Sequence, residues 1–172
     1  MKASFTQGLR GMDKYDAKVV FEFNNCKVVN AELSHAEYIA PRLRQIDRME
    51  AECQNHDPNE ACFKGFETDD ITLTALTPDG VPMCMFGAGN TLFPYLWLLG
   101  TDEVKRHQKA FIKGSKPISQ HLLSPHGLGI NYVHEQNDES IRWLKFCGAT
   151  FTQKLTFNNH PFLEFIIIKN HV

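Results

Sequence analysis

Residues 127–151, GLGINYVHEQNDESIRWLKFCGATF, read as a strand, a turn, a short capped helix, a glycine stop and the opening of a second strand. Ile130, Tyr132 and Val133 bring β-branched and aromatic weight to the first segment. Asn137 stands where an N-cap belongs, and Asp138 and Glu139 put negative charge in the first turn. Ile141, Leu144 and Cys147 recur three apart, and Gly148 sits where a left-handed stop is needed. An amphipathic helix between two strands is an α/β unit.

The chain on either side supplies the rest of a sheet and its helices. Leu92–Leu99 is a near-continuous apolar run suited to a central strand covered on both faces, with Phe93, Tyr95 and Trp97 alternating as sheet core. Thr101 can cap a helix that begins at Asp102, breaks near Gly114 and restarts over Pro117–Leu123. Ile71–Leu76 and Val81–Gly87 flank Thr77-Pro78-Asp79-Gly80, a hairpin turn. Ser34 and Glu37 form a capping box for a helix whose apolar stripe is Ile39, Leu43, Ile46 and Met49. Arg42, Arg44, Asp47, Arg48 and Glu50 solvate its other face, and Pro41 implies a kink or a delayed start. A further short helix covers Asn59–Phe66. Asn24-Asn25 joins Lys18–Phe23 to Cys26–Leu33, and Asn158–Pro161 joins Thr150–Phe157 to Phe162–Lys169. Residues 1–17 read as a polar arm. The pattern predicts one α/β domain around a mixed sheet, with 1–24 as an N-terminal extension and 25–172 as the domain.

Composition removes several classes of function. A chain of 172 residues suits one domain, and a net charge of −2 without a long basic run argues against a dedicated nucleic-acid surface. Met1–Arg10 lacks the apolar core of a signal peptide, and no apolar run approaches the ~18 residues of a membrane span. Five cysteines without a CxxC pair read as core-filling free thiols of a reducing compartment, so no metal is expected. The eight histidines have no H-E-x-x-H spacing, and no serine sits in G-x-S-x-G.

The element order and the Asn137–Ala149 motif resemble the GNAT (acyl-CoA N-acyltransferase) superfamily, over about residues 26–169. The resemblance implies a single domain with a mixed, mostly antiparallel central sheet flanked by helices. It further implies that the strands Phe93–Gly100 and Leu128–His134 splay apart to admit an acyl-CoA arm, making acetyl-CoA or CoA the cofactor. Its cofactor positions map to Trp97, Leu98 and Leu99 on the strand, Thr101, Lys105 and Arg106 after it, and Asn137 and Ser140 at the late helix. Glu135 or His134, ending the second splayed strand, is the candidate base for an amine.

Two family features are missing. The Gln/Arg-x-x-Gly-x-Gly/Ala phosphate segment is replaced by Gly100-Thr101-Asp102-Glu103-Val104-Lys105-Arg106, whose acids oppose an anion. The acid tyrosine expected seven residues after Asn137 is Leu144, and Tyr132 on the preceding strand reads as core.

Ser140–Phe151 and Pro78–Asn90 also resemble the internal virion protein A family of short-tailed phages. That narrower resemblance implies a phage-encoded, catalytically degenerate protein of the host cytoplasm or the virion. It would act in virion assembly or DNA ejection, with other virion proteins or its own copies as partners. The alternatives are an active N-acetyltransferase modifying an amine on a host or phage protein or small molecule, and a module that binds a host protein and keeps the acyl-CoA pocket without turnover.

Overall fold

In the computed structural model residues 18–170 are described, and the N-terminal arm predicted for 1–17 lies outside them. Eight strands form one sheet in the order β1-β2-β3-β4-β5-β6-β8-β7. They are β1 (Val19–Phe23), β2 (Cys26–Asn30), β3 (Ile71–Leu76), β4 (Pro82–Asn90), β5 (Pro94–Gly100), β6 (Leu128–His134), β7 (Thr150–Phe157) and β8 (His160–Ile168). Every neighbouring pair is antiparallel except β5 and β6, which run parallel.

Among the described residues six α-helices accompany the sheet: α1 (Leu33–Ile39), α2 (Gln45–Cys53), α3 (Pro58–Thr68), α4 (Glu103–Arg106), α5 (Gln108–Leu122) and α6 (Asp138–Phe146). Ala36, Ile39, Leu43 and Cys62 pack with Met85, Trp97 and Leu99, which places α1 and α3 over one face. Leu122 and Phe111 pack with Phe86 and Leu98, and Leu144 with Leu96, which places α5 and α6 over the other. This alternation along β4 and β5 is the period-two consequence of a pleated strand.

Both Asn-Asn pairs turn their hairpins in two residues, with φ of 49° and 63° at Asn24 and Asn25 and 47° and 64° at Asn158 and Asn159. Asparagine tolerates the left-handed region that a type I′ turn demands at both positions. The second turn is therefore shorter than the four residues expected. β1 pairs with β2, and Phe23 packs on Gly114 of α5, so the first hairpin is part of the sheet and its core.

Several helix expectations are corrected. α1 starts at Leu33, because Ala31 N–H still bonds Thr72 O and the turn comes early. His35 Nδ1 then accepts from Glu32 N–H at 3.1 Å, the role foreseen for Glu37. The break expected near Gly114 falls at His107 instead, and α5 runs through both Gly114 and Pro117. Pro41 interrupts the first helix outright: α1 ends at Ile39, a 3-10 turn covers Ala40–Arg42, and α2 starts afresh at Gln45. The stripe drawn through Ile39, Leu43, Ile46 and Met49 therefore spans two helices of different phase. Ile46 and Met49 end up half-exposed, whereas Asp47 is 4% exposed.

All five cysteines are free and buried; burial pushes Cys62 and Cys84 up to about 12. Among the described residues no helix is long and apolar enough to cross a membrane.

Candidate functional site

β5 and β6 share one paired position, Tyr95 with Ile130. Asn131 Nδ2 continues the contact by donating to Leu96 O at 2.7 Å, and beyond it the strands part. Towards their C-terminal ends the opening is a cavity of about 760 Å³. The β4–β5 ladder runs in register from Asn90–Pro94 to Cys84–Gly100, so backbone direction alternates along β5 without a shift. Leu96 C=O and both backbone groups of Gly100 face away from β4. Leu98 lies between them, so its N–H and C=O point into the opening as a free strand edge.

α2 turns its charges inward. Asp47 Oδ2 accepts Gly100 N–H at 2.9 Å, and Arg44 grips the same carboxylate through Nε and Nη2 at 2.9 and 2.8 Å. Glu50 Oε1 accepts His134 N–H and Asn137 Nδ2, each at 2.9 Å. Both bonds end on Oε1, which leaves Oε2 without a donor among the described residues. Burial pushes the Glu50 carboxyl up from its ordinary value, against the lowering by the Asn137 and His134 bonds. Glu50 lines the cavity.

A second carboxylate sits nearer the closed end. Asp69 Oδ1 accepts the Tyr95 hydroxyl at 2.7 Å, and Oδ2 accepts the Trp97 indole N–H. Gly87 and Gly89 pair directly with Trp97 and Tyr95. A Cβ on Gly87 would stand 2.9 Å from both Asp69 Oδ2 and Trp97 Nε1, so only glycine admits the cluster. Burial pushes Asp69 up, and burial together with Asp69 holds the Tyr95 hydroxyl up at about 12, firmly a donor. Among the described residues neither Glu50 nor Asp69 forms an ion pair.

No protein-family model and no curated protein matches the sequence. Solved structures do match. A GNAT-family acetyltransferase from Bacillus anthracis superposes with a TM-score of 0.64 at 9% identity, over 89% of this chain and 98% of that one. A GCN5-related N-acetyltransferase from Kribbella flavida gives 0.63 at 13%, over 84% and 98%. The ribosomal-protein-S18-alanine N-acetyltransferase from Escherichia coli gives 0.58 at 12%, over 86% and 96%. The fold is that of the GNAT acetyltransferases.

Within that fold the positions foreseen for the cofactor separate into two groups. Trp97, Leu98, Leu99, Lys105 and Ser140 line the cavity. Thr101 is buried against β4, giving both its N–H and its hydroxyl to Met83 O at 2.9 and 3.0 Å. Arg106 is turned to Glu103, and Asn137 is spent on capping, accepting Ser140 N–H while donating to Glu50. On the α5–α6 side Trp143 Nε1 donates to Ser115 Oγ at 2.7 Å and its ring meets Phe111 at 5.4 Å, joining the two helices across the opening.

The two candidate bases lie off the cavity. The His134 ring packs on Phe162 and His160, its Nδ1 accepts Gln136 N–H, and burial lowers its pKa. Glu135 pairs with Lys154 at 2.5 Å. Arg44, Asp47 and Glu50, expected on a solvated helix face, are instead turned to the strand ends, and Asp69 carried no expectation from the sequence. One signal was available: Gly87-x-Gly89 ahead of Tyr95-x-Trp97 is a small-against-large pattern across a hairpin, which marks a shaped site.

For an acyl-CoA the fit is uneven. The opening, its apolar walls and the Leu98 edge suit an amide-bearing arm. The phosphate end is poorer: α4 has only four residues, Asp102 stands at its N-cap and Glu103 in its first turn, and α6 opens on Asp138 and Glu139. Lys105 and Arg142 are cations that line the cavity, and Lys105 lies 3.9 Å from Glu139.

Proposed function

We propose that the protein is an acyl-CoA-dependent N-acyltransferase, acetyl-CoA being the donor and an amine on a protein or small molecule the acceptor. The observation that carries this reading is the parting of β5 and β6 beyond Tyr95–Ile130, with the free Leu98 edge and the Glu50 carboxylate both on the cavity it opens. When bound, the donor supplies an activated thioester carbonyl. Leu98 N–H offers a fixed hydrogen bond to the donor's arm or carbonyl. Glu50 Oε2 is the proposed acceptor of the amine proton, and its raised pKa makes it a stronger base than a solvated carboxylate. Tyr95, Trp97 and Asp69 give the acceptor side an aromatic and anionic wall that favours a cationic substrate. Leu144, in the position of the family's acid, is 3% exposed in the core, so no side chain is assigned to protonate the leaving thiolate.

A second reading rests on the acids at the first turns of α4 and α6. They support a GNAT-fold protein without turnover, and the resemblance of Ser140–Phe151 and Pro78–Asn90 to the internal virion protein A family would make it a virion-type protein of the host cytoplasm, partnered by virion proteins or its own copies. Calorimetry with acetyl-CoA and with CoA separates the two. Binding in the micromolar range, followed by thiol release over a panel of amines, supports the enzyme, and no heat with either ligand supports the degenerate reading. An unchanged rate in Glu50→Gln would remove the base assignment.

A further inference from the structure

Asp47 and Glu50 lie one helical turn apart on α2, and each holds the last backbone N–H of one of the two diverging strands: Gly100 of β5 at 2.9 Å and His134 of β6 at 2.9 Å. These residues do not just cap two loose ends. Counted from the Tyr95–Ile130 pair, Gly100 and His134 are five and four residues along parallel strands, so both lie at the same end of the gap. Side chains a turn apart on a helix are separated by ~5–6 Å. With a hydrogen bond on either side, they keep the strand ends on the order of 10 Å apart, about twice the ~4.8 Å between paired strands. Two strand spacings is the width that one extended chain occupies when it takes the place of a missing strand.

We infer that α2 is a strut: Asp47 and Glu50 set the gap between β5 and β6 at the width of one extended, amide-bearing arm, and are positioning residues for donor binding. This rests on the acyltransferase reading for the identity of the arm, though not for the existence of the strut. Arg44 stiffens the β5 end. It holds Asp47 by two bonds, and its own backbone N–H donates to Gly100 O at 2.9 Å, so the end of β5 is clasped through both its N–H and its carbonyl. Asn137 stiffens the β6 end, because its Nδ2 shares Glu50 Oε1 with His134 while its Oδ1 caps α6. Gly100 and Asn137 stand just ahead of α4 and α6, the helices that border the donor side. α2 itself belongs with α1 and α3 on the opposite, acceptor side. One helix therefore connects the two halves of the site through four side chains.

The roles of Glu50 as base and as strut separate by substitution. Glu50→Gln keeps an oxygen at the Oε1 position, and so keeps both bonds, but cannot take a proton. Glu50→Ala loses both. The expected result is that Glu50→Gln binds acetyl-CoA within about twofold of the native protein while turnover collapses. Glu50→Ala should bind it at least about tenfold more weakly, since a hydrogen bond to a charged group is worth a factor of about ten or more. Asp47→Asn, with one acceptor left and an amide facing Arg44, should raise the KM for acetyl-CoA and, since the Asp47 charge adds to the rise in the Glu50 pKa, move the pH profile of kcat towards lower pH.

Amide exchange tests the strut without any ligand. Glu50→Ala should speed exchange at Gly100, on the far strand with its own bond to Asp47 intact, and Glu50→Gln should not. Equal donor affinity in Glu50→Gln and Glu50→Ala, or faster exchange in Glu50→Ala at His134 alone, would overturn the strut. A native protein that binds no acetyl-CoA, yet shows the Gly100 response, would overturn the acyltransferase reading and leave the strut standing.

Discussion

Asp47→Ala is the sharpest test of an α2 that carries its charges inward. The substitution removes the acceptor for Gly100 N–H at 2.9 Å and both bonds from Arg44, at 2.9 and 2.8 Å, at a side chain 4% exposed. Removing one partner of a buried ion pair costs ~3–5 kcal/mol, because the other charge is left uncompensated. The Arg44 side chain retains 17% exposure, so water reaches part of the freed guanidinium and the lower end applies, about 3 kcal/mol. For a chain of this size each kcal/mol lowers Tm by ~2–4 °C, which gives a drop of about 6–12 °C in a thermal melt followed by circular dichroism. Asp47→Asn, which keeps one acceptor, should lose roughly half of that. Arg44→Met combined with Asp47→Leu should regain part of the loss, since an apolar pair of similar volume replaces a buried ion pair at little cost. A drop smaller than ~2 °C for Asp47→Ala, or a double variant less stable than the single one, would show that Asp47 behaves as a solvated surface charge.

Three further outcomes follow from the same geometry. Gly87→Ala puts a Cβ 2.9 Å from Asp69 Oδ2 and Trp97 Nε1; it should cost ~1–3 kcal/mol and shift the Trp97 fluorescence, and an unchanged emission maximum would deny the cluster its tight fit. Because the folded Glu50 pKa is raised above its unfolded value, the stability it contributes is full below the ordinary value of 4.5 and is lost as pH rises through the folded pKa. Glu50→Gln should therefore gain on the native protein in urea titrations as pH increases from that value, and a gap that narrows instead would reverse the sign of the burial effect. Asn158 has φ of 47° and donates to Cys53 O and Asn55 Oδ1 at 2.9 and 2.8 Å, so Asn158→Ala should cost ~2–3 kcal/mol in the same titration, and a neutral result would remove the turn's hold on the end of α2.

How far the sequence could be read depended on whether a segment obeyed one period from end to end. The strand–helix–strand unit at 128–151 does: Asn137 caps α6, Leu144 is buried, and Gly148 takes φ of 91°. The hairpin at Gly80, with φ of 81°, is marked as clearly by Pro-Asp-Gly. The opening between β5 and β6 could be reached only through family resemblance, since a strand that leaves its neighbour has the same apolar run as one that stays paired. The acids of α2 were out of reach for a different reason. A stripe through Ile39, Leu43, Ile46 and Met49 needs one helical phase across Pro41, and the interruption at Ala40–Arg42 resets that phase instead of only kinking the helix. On an unbroken helix Ile39, Leu43, Ile46 and Glu50 would share a face and Asp47 would be turned ~100° from Ile46 towards solvent. The break moves the inward face round from Ile46 to Asp47, Glu50 and Ala51 and leaves Ile46 and Met49 half-exposed. Pro41 is thus the residue that makes the sequence misleading and, for the same mechanical reason, the one that lets a single helix present two carboxylates to the ends of two parting strands.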